Sequence, residues 1–264
     1  MTGQLANRYA IVTGASEGIG QGIVRAFAKA GVAGILLAQR NAEKGEAEAA
    51  HLRDAYGIDA VSLPTDVTRR PDVEAMVAAA VERFGRLDIL VNNAGGSFPK
   101  RIENHSDADM EAGFALNYWS AFWAMRAAFP VMKAQKYGRI VNMVSLNGVN
   151  AHMFTVAYNA SKEALRALSR TAAVEWGGHG ISVNVICPSA MSPAAKTYFD
   201  ANPEMRDRIL EQIPAHRFGD AEDDIAPAVV FFASEHSGFT NGNTLFVSGG
   251  TQMNGVSWRP KVDD

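Results

Sequence analysis

The chain has 264 residues, 47% hydrophobic and 20% charged, with 25 Lys and Arg set against 28 Asp and Glu for a net charge of −3. These proportions exclude fibrous and intrinsically disordered classes, and the length suffices to bury a core without metal or disulfide staples. The lone Cys187 excludes an internal disulfide framework and fits a reducing, cytoplasmic setting, and no basic stripe points to nucleic acid.

Along the chain, short apolar runs alternate with helical patterns. The opening residues lack the charged and apolar regions of a signal peptide. "YAIVTG" (9–14) predicts a buried strand running into a glycine turn, and Ile19, Ile23, Phe27 and Ala30 mark a helix over 18–30 stopped by Gly31. Strands follow at 34–38 and 60–64, with a polar helix at 42–56 between them. A helix over 71–84 ends at Gly85 and leads to a strand at 88–92. A long helix is expected over about 107–135. Its apolar part, 114–134, is interrupted by Asn117, Arg126 and Pro130, which argues against a membrane span. Then come the strand "RIVNMVS" (139–145), a helix over about 155–177 and the strand 181–186. A variable segment with Pro and Met (188–218) precedes a helix at 221–234 and a last strand at 244–248. Short Val- and Ile-rich strands suit a sheet covered on both faces. Strict β-α alternation with no linker predicts one α/β domain over 1–264: a three-layer, doubly wound parallel sheet of the Rossmann type.

"TGASEGIG" (13–20) lies between the first strand and the first helix. Gly14 permits a tight turn, Gly18 a close phosphate, and Gly20 close packing of helix on strand; Ser16, Glu17 and Ile19 complete the loop. The helix N-terminus offers free N–H groups and a positive dipole to a pyrophosphate. Glycines in a loop also serve plain turns, but this placement favours a dinucleotide. At the end of the second strand an acid favours a free ribose 2′-hydroxyl and a base a 2′-phosphate. Here stand neutral Gln39 and then Arg40, so NADP(H) is favoured, with NAD(H) as the alternative. Glu17 opposes a 2′-phosphate unless Arg40 neutralises it, and the plainer reading of Arg40 is a solvated surface residue.

In "VAYNASKEAL" (156–165), Tyr158 and Lys162 stand four apart, on one face of a helix. A phenol has the shape for proton transfer to a carbonyl oxygen, but its ordinary pKa near 10 is high for a base at neutral pH. A neighbouring ammonium is expected to lower it. Taken alone, the pair reads better as a packed tyrosine beside a snorkelling lysine.

The joint pattern resembles the short, single-domain branch of the short-chain dehydrogenase/reductase family. It rests on "TGASEGIG", "DV" (66–67), "NNAG" (92–95), Asn117, Ser145 and "YNASK" (158–162), which run in the family's order over nearly the whole chain. The resemblance implies a seven-stranded sheet in the order 3-2-1-4-5-6-7 and a nicotinamide cofactor. Asp66 would accept from the adenine amino group with Val67 beside it, and Asn93, Ala94 and Gly95 would line the adenosine side. Tyr158 would be the general acid/base, and Lys162 would also hold the nicotinamide ribose. Ser145, at the carboxyl edge of its strand, would hold the substrate oxygen beside Tyr158. Asn117 would fix a backbone kink and a water linking Lys162 to solvent. Val144 stands where many members have a first serine.

Pro188, Ser189 and Met191 are expected to bind the cofactor, and the family's threonine in this segment meets the nicotinamide amide. Here the sequence departs from the family: Ser189 replaces a glycine and Pro193, with no N–H, stands at the expected threonine, so either Ser192 just before it supplies the amide contact or the loop is shifted. The substrate pocket is expected from Ser97 and Phe98, Leu146 and Asn147, His152 and Phe154, and Tyr198, with Ser145 at its floor. That lining suits a partly apolar or aromatic alcohol or ketone, although the same residues would serve as loop anchors. No Cys/His cluster marks a metal. A carrier-protein ketoreductase is disfavoured because Ala134, Gln135 and His179 stand where such enzymes place arginines. A non-catalytic nucleotide-binding regulator is the rival class. The apolar helix with Trp119 and Trp123, and the helix of Tyr158, predict a homotetramer with a dimer as fallback.

Overall fold

A computed structural model describes residues 3–191 and 193–253, with the backbone alone at 193–195. Seven parallel strands form one sheet in the order β3-β2-β1-β4-β5-β6-β7, as the sequence leads one to expect. They are β1 (Tyr9–Thr13), β2 (Gly34–Gln39), β3 (Asp59–Pro64), β4 (Ile89–Asn92), β5 (Gly138–Met143), β6 (Ile181–Pro188) and β7 (Thr244–Val247). The helices between them are α1 (Gly18–Lys29), α2 (Ala42–Tyr56), α3 (Arg70–Phe84), α4 (Asp107–Phe114), α5 (Ser120–Gln135), α6 (Leu146–Val149) and α7 (Val156–Trp176). After β6 come α8 (Pro193–Ala201), α9 (Pro203–Gln212) and α10 (Ala226–Ala233).

One apolar layer joins α1, α2 and α10 to the sheet through Ile23, Phe27, Leu52 and Val229. The other joins α3, α5 and α7 through Met76, Met125, Met132 and Ala172. Each fully buried side chain of this size contributes about 1.5–3 kcal/mol. Local chemistry sets the helix ends. Asn41 caps α2 by accepting from the Lys44 N–H at 2.9 Å, and Ser106 with Asp109 forms a capping box on α4. Strand order reverses between β1 and β4, which opens a crevice at their carboxyl ends.

Three expectations need correction. The helix over 107–135 is interrupted by a π-helical turn, Ala115–Trp119, with Asn117 at its centre. There the Asn117 Nδ2 donates to the Gly113 carbonyl at 3.0 Å and also to the Gly96 carbonyl at 3.0 Å, drawing the helix towards the loop after β4. The variable segment 188–218, to which the sequence assigns no element, holds α8 and α9. Finally, β5 ends at Met143, and Ser145 caps the short α6 instead of ending the strand.

Candidate active site

A groove of about 1090 Å³ runs along the carboxyl ends of the strands, from Gly14 and Gly18 past Asn93 and Gly95 to Tyr158 and Lys162. It exceeds what one small ligand fills and suits a dinucleotide together with a substrate. At its first end Gly14 and Gly18 take left-handed backbone angles, with φ of 65° and 56°, which residues with a Cβ seldom adopt. Glu17 occupies the N-cap of α1 but gives it no side-chain hydrogen bond, so the helix presents unpaired N–H groups. Ser16, Glu17 and Ile19 line the groove beside them, whereas Gly20 lies behind, where it lets α1 meet the end of β1. These uncapped donors and the glycine backbone fit a pyrophosphate.

Gln39, Arg40, Asp66 and Val67 line the groove next. Gln39 is buried and its Nε2 donates to the Ser62 hydroxyl at 2.8 Å; its Oε1 is buried with no hydrogen-bond partner among the described residues. Arg40 is exposed, and its guanidinium makes no hydrogen bond or ion pair with another described residue. Glu17 pairs with Lys44 at 2.9 Å, so the neutralising cation expected at Arg40 is Lys44. Lys44 is a cofactor-end residue not expected from the sequence, although its place one turn after Arg40 signals it. The Asp66 carboxylate accepts from the Thr68 hydroxyl at 2.7 Å and the Thr68 N–H at 3.0 Å, which holds its pKa below the ordinary value with help from Arg40 and Arg69. Asn93, Ala94 and Gly95 also line the groove, held by Thr13. The Thr13 hydroxyl accepts from the N–H groups of Asn93 and Ala94, both at 3.0 Å, and the Asn93 Nδ2 donates to the Thr13 carbonyl at 2.9 Å. Thr13 ends β1 and was visible as such, but nothing local announced its contact with residues 80 positions away.

At the far end the structure brings Asn117, Ser145, Tyr158 and Lys162 together. The Lys162 Nζ is buried, donates to the Met143 carbonyl at 2.7 Å and lies 5.7 Å from the centre of the Tyr158 ring. A Cβ on Gly95 would stand 2.7 Å from the Asn117 Oδ1 and 3.0 Å from the Lys162 Nζ, so the glycine makes room for both groups. The Asn117 Oδ1 accepts from the Gly96 N–H at 3.1 Å. Ser145 is 9% exposed, and its hydroxyl accepts from the Asn147 N–H at 3.1 Å.

The expected lowering of the Tyr158 pKa by Lys162 does not appear. Burial pushes the phenol up, interaction with the Ser145 hydroxyl pulls it down, and burial wins. Lys162 itself donates to the Met143 carbonyl, and burial brings its pKa down to about 8. The consequence for stability has a definite sign. Below about pH 8 the folded chain holds a buried ammonium, a penalty relieved as pH rises from 8 towards the unfolded value of 10.5. Lys162→Met should therefore raise the unfolding free energy at pH 7 by about 1–3 kcal/mol, and the gain should shrink between pH 8 and 10. Chemical denaturation at three pH values checks this, and a variant less stable than wild type at pH 7 overturns it.

Of the remaining expected residues, Ser97, Phe98, Asn147 and Pro188 line the groove, as does Ala190. Leu146 is buried in the start of α6, and His152 is exposed, its Nδ1 2.9 Å from the Met153 carbonyl. Phe154 is 46% exposed, with the Arg101 guanidinium over its ring and its carbonyl accepting from the Lys100 N–H at 2.8 Å. Tyr198 is 52% exposed on α8, edge-on to Phe199. Ser189 and Met191 do not line the groove. Their N–H groups are committed to the carbonyls of Val247 and Gly219, at 2.9 and 3.1 Å, because the chain here extends β6 and bridges to Gly219. Ser192 lies outside the described residues, as does any amide contact expected of it.

Comparison with known proteins places this geometry in context. A family model described as enoyl-(acyl carrier protein) reductase matches residues 14–252. A 12α-hydroxysteroid dehydrogenase of a Clostridium species is 35% identical over 252 residues, covering 92% of this chain and 96% of the relative. The 3-oxoacyl-[acyl-carrier-protein] reductase FabG of Staphylococcus epidermidis is 32% identical over 248 residues, 94% of this chain and 100% of the relative. A provisionally assigned short-chain alcohol dehydrogenase from Sinorhizobium meliloti superposes with a TM-score of 0.89 at 35% identity, over 94% of this chain and 98% of that one.

Proposed function

The chain belongs to the short-chain dehydrogenase/reductase family of oxidoreductases, and from that premise we propose that it interconverts a secondary alcohol and a ketone with NADP(H). The observation that carries the reading is the groove itself, which joins the uncapped start of α1 to Tyr158 and Lys162. The bound nicotinamide supplies or takes the hydride. In reduction Tyr158 gives its proton to the carbonyl oxygen, and in oxidation it removes the proton from the alcohol. Ser145 holds that oxygen, and the buried Lys162 favours the phenolate when it carries charge. Asn117 keeps the π turn that brings the loop after β4 against the lysine.

The substrate is a small alcohol or ketone with an apolar or aromatic body, in keeping with Phe98, exposed on the lining of the groove. Acyl-carrier substrates are less favoured, despite the FabG relative. Gln135 is committed on both amide atoms to the Leu87 backbone, at 3.1 and 3.0 Å, and His179 packs edge-on to Phe129. Neither supplies the arginine that such enzymes place there. Self-assembly into a tetramer, or a dimer, is supported by Trp119 and Val174, 42% and 84% exposed on the helical segments that carry the site. A panel of ketones and alcohols, assayed with both cofactors, tests the reaction. No turnover with any member, by protein that binds NADPH, would favour the regulator reading.

For the cofactor, the free Arg40 and the nearby Lys44 supply two cations where an acid would mark NAD(H). The Lys44–Glu17 pair is 58% and 62% exposed and worth under about 1 kcal/mol, so a phosphate can take the lysine over. Arg40→Ala should raise KM for NADPH roughly ten- to hundredfold, the loss of one charged hydrogen bond, and leave KM for NADH within about twofold. Equal effects on both cofactors would reject the 2′-phosphate contact.

A further inference from the structure

A polar chain closed to solvent joins the three elements that carry the site. Asn92, Asn142 and Ser169 are 5%, 0% and 0% exposed. The Asn92 Nδ2 donates to the Asn142 Oδ1 at 2.7 Å, the Asn142 Nδ2 to the Ser169 hydroxyl at 2.8 Å, and that hydroxyl to the Leu165 carbonyl at 2.7 Å. Asn92 and Asn142 are partners in the β4–β5 register, so both side chains leave one face of the sheet at matching height. Stability alone does not call for such a chain, because apolar residues of matching shape would fill the space at little or no cost.

What sets it apart is where its members stand. Asn92 immediately precedes the Asn93–Gly95 loop of the groove. Asn142 immediately precedes Met143, whose carbonyl holds Lys162, and Ser145 follows three positions on. Ser169 lies on α7, on the same stripe as Tyr158, Lys162 and Leu165. A helix free to slide or turn by a fraction of an ångström would move the phenol and the ammonium together. Buried and fully paired hydrogen bonds resist that motion more specifically than apolar contact, because they have one geometry.

We infer that Asn92, Asn142 and Ser169 are positioning residues: their chain locks α7 against the carboxyl ends of β4 and β5, so that Lys162 meets the Met143 carbonyl and Tyr158 meets Ser145. The readout in turnover rests on the oxidoreductase reading above; the readout in the lysine does not.

The test compares Ser169→Ala with Ser169→Thr, which keeps the hydroxyl, and with Ser182→Ala. Ser182 is also buried, at 5% exposed, but its hydroxyl has no hydrogen-bond partner among the described residues. Two quantities are measured: kcat and KM across pH, and the titration of Lys162 by NMR of protein carrying [ε-13C]lysine, assigned with Lys162→Met and run without substrate or cofactor. Ser169→Ala should lower kcat about tenfold or more with KM within about twofold, as a small displacement of reacting groups does. Its Lys162 midpoint should rise from about 8 towards the ordinary value, while Ser169→Thr and Ser182→Ala follow wild type. If Ser169→Ala does not fold, Ser169→Cys keeps the volume, weakens the acceptor and should shift both readouts the same way. Wild-type kcat and an unmoved Lys162 in the serine variant, whatever its melting temperature, would reduce the chain to packing and overturn the inference. A moved Lys162 in a protein that turns over no member of the panel would uphold the positioning and remove the proposed reaction.

Discussion

Tyr158→Phe is expected to lower kcat by roughly 10²–10⁴-fold, the usual worth of a positioned proton donor, with little change in cofactor binding. The substitution removes one oxygen and keeps the ring, which is partly buried on α7. Burial already holds the phenol protonated at neutral pH, so the group lost is a proton donor in the ketone-reducing direction. The effect on alcohol oxidation should be as large, since the same proton must then be removed. Stability should stay near that of wild type: the hydroxyl is a costly group to bury, and its loss is offset only by the interaction with Ser145. Steady-state kinetics in both directions, with a cofactor titration, provides the check. A variant that keeps full turnover would remove the reaction from this site. A variant that loses cofactor affinity as much as kcat would make Tyr158 a binding residue instead.

Gly20→Ala should be the most damaging single methyl in the cofactor end. A Cβ there would stand 2.0 Å from the Gly14 carbonyl oxygen and 2.7 Å from the Asn93 Nδ2. The first neighbour is backbone in the left-handed turn, and the second is the amide that ties the loop after β4 to the carbonyls of Thr13 and Gly14. Neither can give way alone, so α1 must back off from β1. Overpacking of this kind costs roughly 3 kcal/mol, which for a chain of this size lowers the melting temperature by roughly 6–12 °C. The displaced turn should also weaken NADPH at least about tenfold, since its N–H groups no longer converge on one pyrophosphate. A scan with and without cofactor separates the two losses. A variant that melts early yet binds NADPH as wild type does would show that the turn's geometry does not depend on that contact.

Much of the architecture was legible because the signals are local and repeat. Short apolar strands alternate with helical patterns along the whole chain, so alternation alone leads to a parallel doubly wound sheet. The glycine turn was legible for the same reason: Gly14 and Gly18 adopt left-handed angles, which glycine takes far more readily than residues with a Cβ. The variable segment 188–218, to which the sequence assigns no element, carries α8 and α9, and Phe199 stacks against Phe218 there. No period in their sequence reports that contact.

The residue types of the site were also written in the chain, in the spacing of Tyr158 and Lys162 and the placement of Asn117 and Ser145. Their electrostatics were not. A helix places residues four apart on one face, which suggested an ammonium tuning a phenol; folding turned the lysine to the Met143 carbonyl and buried both groups, so each is pushed towards its neutral form. The partner of Glu17 likewise went to Lys44 and not Arg40, because α2 carries the lysine back over the glycine turn. Sequence by itself determined which backbones bend, which stripes are buried and which side chains are available for chemistry, since those depend on each residue and its near neighbours. Tertiary structure decided protonation, pairing and the seating of α7 on Asn142, since charge and hydrogen bonding answer to whatever lies within a few ångströms, however distant in the chain.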